Sequence, residues 1–198
     1  MSDSNRLVRM VYASRASFRP FDTGHGIDAN VAHILATARR RNRKNGLVGA
    51  LYYGNRCFFQ CLEGQQSAVD ELYSHLLLDP RHHDLKILQY MDIEEVGFLS
   101  WEMKFAMVDR EIRNFLRANN MIKFDPYRFN HHMIDTLVKI LYDADEEVPE
   151  EKIAPIVQKV SQLKQHRVAQ KHKFLFANVA LILLILIPTL VYTQYLGQ

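Results

Sequence analysis

The sequence predicts an α+β fold, a ferredoxin-like β-α-β-β-α-β-β sheet with two helices on one face, then C-terminal helices and a single transmembrane helix. Three observations carry this prediction. Runs with strand-like alternation and stripes with helical spacing succeed one another in that order. Gly54-Asn55 joins two strand-like runs directly, as a tight hairpin does. A long uncharged apolar stretch lies near the end of the sequence.

Leu7–Ser14 (LVRMVYAS) is an apolar run with alternation and reads as the first strand. Phe18 to Gly26, with Pro20, Gly24 and Gly26, reads as loop. Ile27–Lys44 places Val31, Ile34, Leu35 and Ala38 at helical spacing, and Gly46 stands where a helix C-cap belongs. Leu47–Tyr53 and Arg56–Leu62 are the hairpin strands. Val69, Leu72, Tyr73 and Leu76 mark a second helix, and Leu85–Ile93 and Trp101–Val108 read as two more strands. Glu111–Asn119 is a short helix. Asn130 can cap a further one, Met133–Tyr142, whose stripe is Met133, Ile134, Leu137, Val138 and Leu141. An acidic run from Asp143 to Glu151 marks a linker. Ile153, Ile156, Val160 and Leu163 then follow at a spacing that suits either a short coiled-coil seam or a helix packed on its own domain.

Phe174 to Thr193 (FLFANVALILLILIPTLVYT) is long enough, at about 1.5 Å per residue, to span about 30 Å of hydrocarbon. The upstream cations Lys164, Arg167, Lys171 and Lys173 predict that the N-terminal side stays in the cytoplasm. The expected division is residues 1–110 for the sheet domain, 111–145 for a helical cap, 146–173 for an acidic linker and amphipathic helix, and 174–194 for a transmembrane helix. The expected localisation is a single-pass membrane protein with its sheet domain on the cytoplasmic side.

With 48% hydrophobic and 24% charged residues, the chain can bury an ordinary core. Its net charge of +3 argues against a dedicated nucleic-acid binder. Cys57 and Cys61 give no disulfide framework and read as core or half-exposed thiols. There is no phosphate-binding loop and no dinucleotide glycine fingerprint. The side chains of the adjacent pairs His82-His83 and His131-His132 diverge on a regular element, so no metal site is expected. Glu63 is a carboxylate with no evident partner in the sequence. Gln60, an amide between Phe59 and Cys61 on a central strand, needs hydrogen-bond partners if buried.

One ordered series of short pieces is more informative. It runs Val11-Tyr12-Ala13-Ser14, Ala38-Arg39-Arg40-Arg41-Asn42, Asn45-Gly46-Leu47-Val48-Gly49, Phe58-Phe59-Gln60-Cys61-Leu62-Glu63-Gly64, Asp79-Pro80-Arg81-His82-His83 and Trp101-Glu102-Met103. Together these pieces resemble the BLUF domains, which sense blue light using FAD. The resemblance covers Leu7 to Arg110.

The resemblance implies a flavin held between the two helices. It implies that Tyr12 is the photoactive tyrosine and Gln60 the switching glutamine, with Trp101 and Met103 beside it. It gives Asn42 as the residue holding the flavin ring, and Ser14, Arg81, His82, His83 and His75 as further cofactor-binding positions. A phenol near an excited flavin can give up an electron and a proton. An amide such as Gln60 has a donor end and an acceptor end, so its hydrogen bonds change on rotation or tautomerisation. A shift of Gln60 could then exchange which of Trp101 and Met103 packs inward and bias a two-state element. Two positions depart from the family's pattern. Arg41 stands where many members have a second asparagine, and His75 stands where a basic residue is common. The implied protein is a photosensor with no catalytic or metal-binding residues. Its partners would be FAD, the membrane through residues 174–194, further copies of itself and an unidentified protein. The alternative is a light-insensitive ferredoxin-like module for protein interaction or RNA binding.

Overall fold

The computed structural model describes residues 6–20, 27–98, 104–105, 108–144, 151, 153–159, 161–162 and 165. Its strands are β1 (Leu7–Ala16), β2 (Val48–Gly54), β3 (Cys57–Gln65), β4 (His82–Asp92) and β5 (Lys104–Phe105). Its helices are α1 (Ala29–Asn45), α2 (Gln66–Leu77), α3 (Asp109–Ala118) and α4 (His131–Asp143). The sheet order is β4-β1-β3-β2-β5. The first four strands pair antiparallel, and β5 adds in parallel to β2.

Local chemistry fixes the element ends. Asp28 caps α1 by accepting from the N–H groups of Asn30 and Val31. Gly46 ends it in the left-handed conformation, φ 64°, and donates its N–H to Asn42 O. Asn130 caps α4 by accepting from Met133 N at 2.9 Å. The hairpin sits one residue later than expected, because Asn55 (φ 47°) and Arg56 (φ 60°) take the left-handed turn positions and Gly54 remains in β2. Asn adopts this conformation at low cost. β1 and β4 each extend past their apolar runs, because Arg15 and Ala16 pair with His83 and His82. Hydrogen bonding across the sheet thus carries strand structure into polar residues that alternation alone leaves as loop.

The sheet is covered on both faces. Successive strand residues point to opposite sides. Tyr12 and Gln60 face α1 and α2. Val11, Phe59 and Cys61 face the other way, into a core with Ile112, Phe115 and the α4 stripe Met133, Ile134, Leu137, Val138 and Leu141. Leu137 and Leu141 are wholly buried, and truncating either to Ala would cost about 2–5 kcal/mol. Ile153 and Ile156 are also buried, which fits the packed-helix alternative for that segment.

The chain divides into two compact units, Met1–Val157 and Gln158–Gln198. The expected transmembrane helix, and with it the membrane localisation with a cytoplasmic sheet domain, is corrected. Among the described residues no helix is long and apolar enough to cross a membrane. The stretch 174–194 itself lies outside the described residues. An apolar run meets the length and hydropathy conditions for a span, and those conditions alone do not establish one.

Candidate functional site

Between α1, α2 and the sheet lies a cleft enclosing about 400 Å³ of empty space, part of it open to solvent. Its walls are apolar, with Ile34 and Ala38 from α1 and Leu72 and Leu76 from α2. Tyr12, Gln60 and Asn42 also line it. Tyr12 and Asn42 are wholly buried, and Gln60 is 5% exposed. Tyr12 on β1 and Gln60 on β3 are direct cross-strand partners, and the Tyr12 hydroxyl donates to Gln60 Oε1. Burial raises the Tyr12 phenol above its ordinary pKa, and the Asp79 charge adds to that against the opposing Arg81. The phenol therefore keeps its proton. Asn42 lies on the inner side of α1, in the last turn before the Gly46 cap.

The other end of the cleft is charged. Arg81 Nε donates to Asp79 Oδ1 at 2.9 Å, and the Arg81 N–H donates to the same oxygen at 3.0 Å. Burial would raise the Asp79 carboxyl, but these bonds and the Arg81 charge outweigh it and hold it down at about 2. Arg41 lines the cleft as well. His82 sits 2.9 Å (Nδ1) from the Oγ of buried Ser14, and its ring centroid is 4.8 Å from that of Phe58. Burial lowers its pKa to about 4, with Asp79 opposing and Arg81 adding to the shift. The ring is neutral near pH 7.

The structure thus brings together Tyr12, Gln60, Asn42, Arg81 and His82, with Ser14 behind His82. Ser14 itself is not part of the lining, and His83 and His75 lie outside it as well. His83 turns away to Ser17 Oγ, at 3.2 Å. His75 lies on the exposed side of α2, 3.7 Å from Glu71. Trp101 and Met103 lie outside the described residues. Asp79 was not expected as a site residue. Its signal was its place two residues before Arg81, the spacing of a local carboxylate–guanidinium pair. Among the described residues no group of His, Cys, Asp and Glu could hold a metal ion. Cys57 and Cys61 are free and buried, and burial raises both thiols.

The lining suits a flat, largely apolar ring system with amide-like donors and acceptors on its edge. Leucine, isoleucine and alanine walls accept its faces. Asn42 and Gln60 each offer both a donor and an acceptor. A flavin ring answers this description.

Comparison with known proteins identifies the family. The family model "Sensors of blue-light using FAD" (BLUF) matches residues 7–104. The beta subunit of the photoactivated adenylate cyclase of Euglena gracilis is 34% identical over 101 residues, 50% of this chain and 11% of that protein. The chain therefore spans about a tenth of the length of this cyclase relative. The solved ground-state structure of BlsA is 31% identical, with a TM-score of 0.64, covering 72% of this chain and 91% of that one. For the photo-activated state of BlsA the values are 32%, 0.65, 72% and 99%. The dark-state structure of BlrB, a BLUF protein, is 26% identical with a TM-score of 0.54. Domains of this family bind FAD, and this chain belongs to the BLUF family of blue-light sensors.

Proposed function

We propose that this chain is a blue-light photoreceptor in which Tyr12 and Gln60 form the switch. The observation that carries this reading is the buried Tyr12–Gln60 hydrogen bond at the wall of an apolar cleft. Bound there, FAD would absorb blue light and act as a strong oxidant while excited. Tyr12, held protonated against an amide oxygen, is placed to release an electron and a proton together and to take both back. Gln60 can turn or tautomerise while that proton is away, and so exchange the ends it offers to its neighbours. Asn42 would orient the ring through its amide. Arg81, His82 and Ser14 would hold the rest of the cofactor. Arg81, engaged by Asp79, and Arg41 are the lining cations that would be available to the phosphates. His83 and His75 contribute least on this geometry. A rearranged Gln60 would bias the packing of Trp101 and Met103. Output would then pass through contacts with further copies of the chain or with a protein partner.

The RNA-binding alternative is disfavoured by the packing. An RNA-binding sheet presents its central aromatic residues to bases. Here Phe59 is buried beneath the C-terminal helices, and Phe58 lies in the aromatic cluster with Tyr53 and His82.

The test is spectroscopic. The purified protein, supplied with FAD, should be yellow, shift slightly to the red under blue light and revert in darkness. A colourless protein would overturn the flavin reading. A yellow protein without a light response would favour the light-insensitive alternative.

A further inference from the structure

Glu63, the one wholly buried carboxylate among the described residues, lies on the face of the sheet opposite the cleft. Taking a carboxylate out of water is costly unless charge pairing and hydrogen bonds compensate. Here the compensation comes from three places in the chain. Arg9 Nε on β1 donates to Oε1 at 2.7 Å. The Gly97 N–H, after β4, donates to Oε2 at 2.5 Å. The Tyr142 hydroxyl, in the last turn of α4, donates to Oε1, and Arg9 also reaches that hydroxyl.

Three further neighbours, Phe98, Arg9 and Gly97, hold Tyr142. The Phe98 ring stacks on it, with centroids 4.0 Å apart. The Arg9 guanidinium lies 5.3 Å from its ring centroid. Gly97 passes so close that an added Cβ would stand 2.5 Å from Tyr142 Cε1. Glycine is needed there for that approach.

The position of this cluster matters as much as its chemistry. Arg9 and Glu63 are direct cross-strand partners, as are Tyr12 and Gln60 on the same two strands, three residues along. A displacement of β1 against β3 at one pair therefore reaches the other. The loop that donates from Gly97 leads into the stretch holding Trp101 and Met103.

We infer that Glu63 is a latch that holds the C-terminal turn of α4 on the sheet in the dark, and that rearrangement of the Tyr12–Gln60 pair loosens it in the light. The inference rests on the blue-light reading above. The released element is residues 139–144, the end of α4.

Hydrogen exchange of the full-length, FAD-loaded protein tests it, with an absorption spectrum taken on each sample. In the wild type, light should speed amide exchange at 139–144 by about tenfold or more, the size expected for losing a hydrogen bond to a charged group. Tyr142→Phe should exchange in the dark as fast as the illuminated wild type, gain nothing further from light and keep its red shift. Glu63→Gln, which keeps the side-chain shape, should do the same. A red shift in the wild type without faster exchange at 139–144 would overturn the latch while leaving the receptor intact. Slow dark exchange in both variants would overturn it too. A missing red shift in the wild type would overturn the receptor reading and the latch with it, and the spectrum alone identifies that case.

Discussion

The same two strands carry two cross-strand pairs of opposite character. On the cleft face, Tyr12 and Gln60 are uncharged, share one hydrogen bond and border open space. On the far face, Arg9 and Glu63 form an ion pair closed in by Tyr142, Phe98 and Gly97. The first pair can exchange partners at low cost, because an amide presents a donor or an acceptor by turning over. The second cannot, because any bond lost leaves a buried charge undercompensated. A single β1–β3 ladder therefore joins a compliant end to a stiff one. A sensor needs both, one to respond and one to hold the resting state.

Variants can break or sharpen this contrast. The largest effect is expected from Tyr12→Phe, which removes the transferable proton. The light-minus-dark absorption difference should vanish while FAD still binds, and a retained difference would reassign the electron donor. Next comes Glu63→Ala on the far face. It leaves Arg9 without its buried partner and should lower unfolding stability in urea by about 3 kcal/mol. The cleft-side variant Tyr12→Phe should change stability far less.

The third effect depends on pH. Burial lowers His82 from 6.5 to about 4. Between these values the unfolded chain takes up a proton that the folded chain refuses. The stability this neutral imidazole contributes is thus complete above pH 6.5 and is lost as pH falls toward 4. Its share, discounted for partial exposure, is about 2 kcal/mol. Melting curves of wild type and His82→Gln should converge as pH drops through that window if the assignment holds. The smallest effect is expected from Asn42→Ala, which removes one amide from the cleft. FAD affinity by titration should fall about tenfold, for the loss of about one hydrogen bond, with stability little changed.

Much of this architecture is legible in the sequence, because it rests on local rules. Gly46 and Asn130 announce their caps, and the α4 stripe is visible as spacing. Tyr12, Asn42 and Gln60 are found because an ordered series of short motifs marks them. What the sequence conceals is set by distance along the chain. Glu63 reads as a carboxylate without a partner, since Arg9 lies 54 residues away and Tyr142 79 away. Only the β1–β3 register and the return of α4 bring them together. The exposed placement of His75 follows from the rotation of α2, which its residue type does not encode. The apolar run at 174–194 shows the reverse limit. Its hydropathy is plain, yet composition does not establish a helix that spans.

The most direct test of the account is an infrared light-minus-dark difference spectrum of the FAD-loaded protein. A rearranged Gln60 that donates to a flavin carbonyl weakens that bond, so the wild type should show a carbonyl band moving to lower frequency on illumination. Gln60→Leu should bind FAD and show no such shift. A carbonyl shift of wild-type size in Gln60→Leu would contradict the central claim, that the Tyr12–Gln60 pair is the switch.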